Sequence, residues 1–163
     1  MSNLETAKDL GQGVYTKEES NIEIINNSKF IQSKRFIDTV QSTVTSLSWT
    51  DVYTFTLDNC TIGSTIHILA NISNLWEGSE EGECQLVDVN NNNISNIFAQ
   101  RSVGTTGWAM NLANIIGEIV TNNTSMTFKV QVKGVGSNPR WWYNYPCSNG
   151  NTTSSYYVIE TRN

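Results

Sequence analysis

Hydrophobic and polar residues alternate along most of the chain from Thr39 onward, in short runs bounded by Gly and Asn. A period of two, rich in β-branched and aromatic residues, is typical of strands that bury one face. In Trp49–Leu57, for example, Tyr53, Phe55 and Leu57 share one face and threonines occupy the other. The pattern predicts eight strands, at Thr39–Ser46, Trp49–Leu57, Thr65–Trp76, Cys84–Val89, Ile94–Arg101, Trp108–Ile116, Ser125–Val135 and Ser155–Thr161. We therefore predict an all-β fold, an eight-stranded antiparallel jelly-roll sandwich with an extended N-terminal arm.

One strand has an apolar pattern on both faces. In Thr65–Trp76, isoleucines such as Ile66 and Ile68 alternate with Leu69 and Leu75. Strands of this kind are usually flanked by neighbours and covered on both sides. We therefore expect this strand to be central in its sheet, with both of its faces covered.

The N-terminal segment differs from the rest of the chain. Residues 1–38 show no sustained helical or strand period, so we predict an attachment arm at 1–38 and a β-sandwich domain at 39–163. Burial of its apolar side chains on a partner would stabilise attachment by about 1.5 to 3 kcal/mol each, before ordering costs. The predicted anchors of this arm are Ile24, Ile25, Phe30 and Phe36.

Composition narrows the functional class. The chain has 163 residues and a net charge of −5, and it is only 15% charged, with 21 Asn, 17 Ser and 18 Thr in place of charged residues. Scattered basic residues and a pI of about 4.8 argue against nucleic acid as a partner. No run reaches the roughly 20 apolar residues of a membrane helix, and the N-terminus lacks a secretory signal pattern. We expect synthesis in a host cytoplasm and no membrane insertion.

Few residues offer catalytic or metal-binding chemistry. The single histidine, His67, lies within an apolar strand and is interpreted as a hydrogen-bonded strand residue. Cys60, Cys84 and Cys147 are too widely spaced for a zinc knuckle, and we expect free, mostly buried thiols. The segment that begins at Asp88 starts like an EF-hand loop but lacks the Gly and Glu that such a loop needs. We therefore predict no catalytic residues, no metal and no cofactor.

The segment Pro139–Cys147 is the most unusual in the chain, because aromatic residues fill a loop rich in Gly, Asn and Ser. Large aromatic side chains can stack on a sugar or anchor a protein interface. A loop folded over the end of the sandwich, covering its core, is an equally good interpretation. The candidate ligand or interface residues are Arg140, Trp141, Trp142, Tyr143 and Tyr145.

Five local sequences resemble those of a known class of domain. They are Ser46–Val52, Gly63–Ala70, Gln85–Asp88, Met126–Lys133 and Tyr156–Glu160. Together with the strand order, they resemble a domain common in bacteriophage virion proteins, with a tumour-necrosis-factor-like jelly roll. The resemblance covers roughly Thr39 to the C-terminus. It implies a homotrimer on phage heads, tails or fibres, with apolar strands packed around a threefold axis.

The resulting hypothesis is a non-enzymatic phage virion structural protein. We expect a homotrimeric capsid decoration, cement or head-fibre protein, attached by its arm to the major capsid protein or another virion protein. The chain has no heptads and no collagen-like repeat, which argues against a complete fibre. The alternative is a tail-fibre or receptor-binding tip whose lectin-like aromatic loop binds a host surface glycan. A small hydrolase is a third interpretation.

Overall fold

A computed structural model describes residues 29–77, 81–101, 108–135, 141–144 and 152–163. Every regular element in these ranges is a β-strand. The strands are β1 (Phe30–Asp38), β2 (Ser42–Val44), β3 (Thr50–Asp58), β4 (Thr65–Glu77), β5 (Glu81–Asp88), β6 (Phe98–Arg101), β7 (Trp108–Val120), β8 (Ser125–Val135), β9 (Trp141–Tyr143) and β10 (Ser154–Thr161). Within the described ranges, no helix is long and apolar enough to cross a membrane.

The strands form two antiparallel sheets. In the first, which we call the A sheet, β4 pairs with β7 along one edge and with β10 and then β9 along the other. β1 pairs with β10, and the short β2 pairs with β9. The second, or B sheet, has the order β3, β8, β5, β6. β2 and β9 therefore extend the lines of β1 and β10, and the A sheet has four strand positions, β1, β10, β4 and β7.

This order is that of a jelly roll. If the eight main strands are numbered along the chain, one sheet has the order 1, 8, 3, 6 and the other 2, 7, 4, 5. The first and last strands therefore lie side by side, and each sheet draws its strands from both halves of the chain. The predicted all-β jelly-roll sandwich is confirmed, and so is the central position of β4.

The predicted boundary between arm and domain is wrong. β1, at Phe30–Asp38, lies inside the predicted arm and pairs with β10 over its whole length, so the sandwich begins no later than Phe30. The strand was missed because it lies at the edge of its sheet and most of its side chains are exposed, which weakens the period of two. Only Ser42–Val44 of the strand predicted at Thr39–Ser46 is extended and paired. Residues 1–28 lie outside the described residues.

The core fills the space between the inward faces of the two sheets. Near the β1 edge it contains a cluster of aromatic rings whose centroids are 4.9 to 5.8 Å apart. Such ring pairs contribute stability beyond the area they bury. The cluster consists of Phe36, Tyr53, Phe55, Phe128 and Tyr156.

Candidate interaction surface

The outward surface of the A sheet exposes several large apolar side chains, interspersed with neutral polar residues such as Asn71, Asn114 and Ser155. Thirteen large apolar side chains are exposed in the described ranges, and seven of them lie at outward positions of this one sheet. We call these seven residues the apolar face: Ile37, Leu69, Leu112, Ile116, Val120, Tyr157 and Ile159. Tyr157, Leu69 and Ile116 are directly paired across three neighbouring strands. Monomeric proteins rarely expose contiguous apolar patches larger than a few hundred Å², and larger patches mark interaction sites.

The alternation along β4 produces this face. Ile66, Ile68 and Ile72 point inward and are fully buried, whereas Leu69 between them points outward and is 51% exposed. The sequence predicted cover on both sides of this strand. That expectation is wrong for the described residues, because a two-sheet sandwich buries only one face of each sheet.

Few charges interrupt the apolar face. Where outward side chains of the A sheet are described, the charged residues are Arg35 on the β1 edge and Glu118 on the β7 edge, with His67 beside Glu118. The guanidinium carbon of Arg35 lies 5.1 Å from the ring centroid of Tyr157. Among its described side chains, the face therefore carries one positive and one negative formal charge on opposite edges, although the whole chain has a net charge of −5.

His67 is a hydrogen-bonded strand residue, as predicted. Its Nδ1 lies 3.2 Å from Oε2 of Glu118, and its Nε2 lies 3.3 Å from the hydroxyl of Thr161. Both partners are on strands paired with β4, so the ring is fixed between neighbouring strands.

The outward surface of the B sheet has the opposite character. Gln85 donates to Oε1 of Gln131 at 3.0 Å, and Gln131 donates to the side-chain oxygens of Asp51 at 2.7 Å and Asn91 at 3.2 Å. The ammonium group of Lys129 is 3.2 Å from Asp51 and 3.0 Å from Asn91. Both glutamines are buried, so their amide groups depend on these protein partners.

A second group continues this surface toward the end of β8. The ammonium nitrogen of Lys133 lies 2.8 Å from Oε2 of Glu83 and 4.7 Å from the ring centroid of Trp49. We call the outward residues of the B sheet that form these contacts the polar face: Asp51, Glu83, Gln85, Lys129, Gln131 and Lys133. Its groups already have hydrogen-bond and ionic partners within the chain.

The four predicted arm anchors do not share one environment in the structure. Ile24 and Ile25 lie outside the described residues. Phe30 is 54% exposed at the start of β1, whereas the ring of Phe36 packs against the core, 4.9 Å from the ring of Phe55. Phe36 is therefore a core contact of the sandwich, which corrects its prediction as a partner-binding anchor.

Only part of the predicted aromatic loop is described. Tyr143 is fully buried, and its hydroxyl donates to Oδ2 of Asp38 at 2.7 Å and lies 2.6 Å from the hydroxyl of Tyr156. Burial, with a contribution from Tyr156, raises the pKa of Tyr143. Tyr143 thus covers the core and is not available to stack on a ligand.

The other four predicted loop residues are not described at the side-chain level. Arg140 and Tyr145 lie outside the described residues, as do the side chains of Trp141 and Trp142. The backbones of these two tryptophans pair with β4 and with β2.

Sequence reasoning missed the polar groups that attach this segment to the sheet. Asn144 has a positive φ of 53°, a backbone conformation that asparagine tolerates better than most residues. Its amide nitrogen donates to the backbone carbonyls of Asp38 and Val40, and its side-chain oxygen accepts from Ser154 at 2.7 Å. The Asn144 side chain therefore joins the connection between β1 and β2 to the start of β10.

A buried carboxylate was missed as well. Glu160 on β10 is fully buried and accepts hydrogen bonds from Gln32 and Ser64, both at 2.5 Å, and from the Thr61 amide at 2.6 Å. Burial alone raises the pKa of a carboxyl group, but these three hydrogen bonds more than offset it and hold the pKa of Glu160 below its ordinary value. The position resembles a polar strand residue in the sequence, and no local signal marks its contacts.

The described thiols and carboxylates form no metal site. Cys60 and Cys84 are free and buried, as predicted, and burial raises the pKa of the Cys84 thiol. The third cysteine, Cys147, lies outside the described residues. Asp88 accepts the backbone amides of Asn90 and Asn92, both at 2.8 Å, and so closes a turn. Across the described parts of the chain, no three His, Cys, Asp or Glu side chains are grouped closely enough to hold a metal ion.

Comparison with known proteins returns only distant structural similarities. No protein-family model and no curated protein matches the sequence. Among solved structures, the sugar-binding EclA C-terminal domain is 10% identical with a TM-score of 0.43, covering 89% of this chain and 94% of that one. The VP2 subviral particle of infectious bursal disease virus is 12% identical with a TM-score of 0.47, covering 82% of this chain and 34% of that one.

A third solved structure is TmCBM61 in complex with beta-1,4-galactotriose, at 11% identity and a TM-score of 0.34. The match covers 85% of this chain and 94% of that chain. The structural neighbours thus include a viral capsid protein and sugar-binding domains. This chain spans about a third of the VP2 chain.

Proposed function

We propose that the chain is a non-enzymatic structural protein of a phage virion, a homotrimeric decoration, cement or head-fibre protein attached to a shell by its N-terminal segment. The observation that supports an assembly role is the apolar face, where outward residues of the A sheet such as Ile116 remain 62% exposed. A surface of this kind is stabilised when another protein covers it. On this proposal the protein works through its contacts with copies of itself and with the major capsid protein or another virion protein.

The fold limits how the attachment segment is tested. Deletion of residues 1–38 would remove β1, with its backbone pairs to β10 and the ring contact between Phe36 and Phe55. Such a truncation would damage the sandwich as well as the arm. Deletion of residues 1–28 leaves β1 in place and is the appropriate test.

The experiment is cosedimentation of the purified full chain, and of the chain lacking residues 1–28, with heads and with tails of the phage prepared separately. We expect the full chain to sediment with one of these particles and the shortened chain to fold but remain in the supernatant. The double variant Ile24→Asp with Ile25→Asp should behave like the deletion. Ile62→Asp, at a turn residue that is 66% exposed, is the matched control and should still bind.

Three outcomes would contradict the proposal or part of it. If neither particle binds the full chain, the virion role is wrong. If the chain instead binds host cells and this binding is lost with Trp141→Ala or Trp142→Ala, the receptor-binding alternative replaces it. Retention of particle binding after removal of residues 1–28 would contradict attachment through that segment alone.

A further inference from the structure

The outer edge of β1, on the side away from β10, is open to another strand. β1 pairs with β10 on one side, and within the described ranges no strand pairs with its other side. Alternate backbone amides and carbonyls of an edge strand point away from its neighbour, where they can bind one more extended segment. Folded proteins use such edges to take up an additional strand through main-chain hydrogen bonds.

Two adjacent cations determine the charge of this edge. Lys34 and Arg35 are both exposed, and neighbours in a strand point to opposite faces of the sheet. The ammonium nitrogen of Lys34 lies 4.8 Å from the ring centroid of Phe36, and the guanidinium carbon of Arg35 lies 5.1 Å from that of Tyr157. No carboxylate in the described ranges forms an ion pair with either cation. The edge therefore suits an extended segment that carries two adjacent acidic residues.

The segment that precedes β1 in the sequence can fold back along this edge. Pairing with the C-terminal end of the chain already reaches Lys29, whose carbonyl accepts the Arg162 amide at 2.6 Å. Asn26 and Asn27 come shortly before it, and a two-residue hairpin turn requires positive φ, which asparagine tolerates better than most residues. All three non-glycine residues with positive φ in the described ranges are asparagines. A turn at Asn26 and Asn27 returns residues 17–25 antiparallel to β1.

The charges of the two segments match in this register. Counted back from a turn at residues 26–27, Glu19 lies opposite Lys34 and Glu18 lies opposite Arg35. The two glutamates point to opposite faces of the sheet, as the two cations do. Opposite charges at directly opposed positions stabilise an antiparallel strand pair. A shift of one residue still places one carboxylate opposite a cation, so the match does not depend on the exact length of the turn.

We propose that residues 17–25 add a strand to the outer edge of β1 in the same chain, with Glu18 and Glu19 opposite its two exposed cations. The segment then becomes the edge of the sheet, and its charged residues suit that position because they discourage pairing with further chains. The candidate anchors Ile24 and Ile25 belong to an ordered strand beside the domain. An ordered segment loses less conformational entropy when it attaches to a particle. This last consequence rests on the proposed function, whereas the added strand does not.

The first test is hydrogen exchange in the full chain without particles, followed residue by residue by NMR. We expect alternate amides of residues 17–25 to exchange roughly tenfold or more slowly than in an unpaired chain, because every second amide of the added strand points toward β1. Lys34→Glu with Arg35→Glu should remove this protection. Addition of Glu18→Lys and Glu19→Lys to that variant restores opposite charges and should restore the protection, which shows that the fold was retained.

The second test establishes which chain provides the strand. In a chain that carries Cys147→Ser, the substitutions Glu19→Cys and Lys34→Cys should allow a disulfide, because opposed residues of paired strands have Cα atoms within the distance that a disulfide spans. The oxidised product should migrate as a single chain on a non-reducing gel. Val40→Cys in place of Lys34→Cys is the matched control, at an exposed residue beyond the end of β1, and should not form the disulfide with Glu19→Cys.

The outcomes separate this inference from the proposed function. Rapid exchange of every amide in residues 17–25, or protection that Lys34→Glu with Arg35→Glu leaves unchanged, would overturn the proposed strand. A disulfide that forms only between two chains would assign the strand to a sister copy and overturn the hairpin, and equal oxidation of the control would overturn the register. None of these results depends on cosedimentation with phage particles, which tests the virion role.

Discussion

The two outward faces of the sandwich are equivalent in topology and opposite in chemistry. At the central outward positions, the A sheet presents Leu69, 51% exposed, and the B sheet presents Gln131, which is buried by the polar side chains around it. Both residues lie on strands with neighbours on each side. Strand pairing within a sheet therefore does not determine whether the side chains on its outer surface are apolar and exposed or polar and buried.

The difference shows which surface still needs a partner. On the polar face, hydrogen bonds and ion pairs within the chain satisfy the described groups, so contact with another protein would have to replace them. On the apolar face, the leucine and isoleucine residues are 42 to 62% exposed, and further burial would stabilise an assembly. A surface that lacks internal partners is the better candidate for contacts between chains.

The contrast between the apolar and polar faces would no longer identify the interaction surface if the aromatic segment formed a third surface that binds ligands. Tyr143 is buried with its hydroxyl on Asp38, so we expect Tyr143→Ala to lower the free energy of unfolding by about 3 to 5 kcal/mol. Tyr143→Phe keeps the ring but removes the donor to a buried carboxylate, and should cost about 1 to 3 kcal/mol. Urea denaturation measures both values. A fully stable Tyr143→Ala protein would contradict the assignment of this residue to the core.

The strands were predictable where one face is buried and the other is polar. Trp49–Leu57 and Ser125–Val135 both show the period of two, and β3 and β8 lie at almost the same residues. β1 was not predictable in this way, because an inward position near its start, Gln32, is polar and donates to the Asp58 carbonyl and to the Glu160 carboxylate.

The candidate surface was visible in the sequence only in part. Alternation in β4 revealed that both faces are apolar, but not whether the second face is covered within the chain. Contacts between distant residues were invisible, since Gln32 and Glu160 are 128 positions apart. Such contacts depend on the first and last strands lying side by side, which is a property of the topology.

The contrast between the two outward faces can be set beside the inward side of the A sheet, where the carboxylate of Glu160 is buried. Glu160→Gln places an amide group opposite Gln32 or Ser64, which donate to the carboxylate, and should cost about 1.5 to 3 kcal/mol at neutral pH. Asp58→Asn, at an exposed carboxylate, is the control and should change stability by less than about 0.5 kcal/mol.

The difference in stability between the natural sequence and Glu160→Gln should depend on pH in a defined direction. The folded-state pKa of Glu160 lies below its unfolded value of about 4.3, so the carboxylate contributes stability above that pH. The contribution is lost as the pH falls through the folded-state pKa. Urea midpoints of the natural sequence and of Glu160→Gln should therefore converge below about pH 4. A difference that stays constant down to pH 2 would contradict this role.

The outward faces themselves can be compared by exchanging their central residues. Gln131→Leu removes the partner of Gln85 and the donor to Asp51, and should cost about 1 to 3 kcal/mol. Leu69→Gln should change the stability of the single chain by less than about 0.5 kcal/mol, measured at a concentration where it does not associate. If Gln131→Leu were as stable as the natural sequence, the polar face would not depend on its internal hydrogen bonds.

The smallest effect is expected at the rim of the polar face, where Lys133 contacts Glu83 and Trp49. The side chains of the ion pair are 26% and 25% exposed, so water still reaches both groups. A double-mutant cycle with Lys133→Gln and Glu83→Gln should give a coupling energy of about 0.3 to 1 kcal/mol, which falls in 1 M salt. Because the ammonium group of Lys133 also lies over the indole of Trp49, Lys133→Gln should cost slightly more stability than Glu83→Gln.

A coupling energy above about 2 kcal/mol would mean that the ion pair is shielded from water. The polar face would then be a covered surface as well, and the contrast between the two sheets would no longer identify which one is available to a partner.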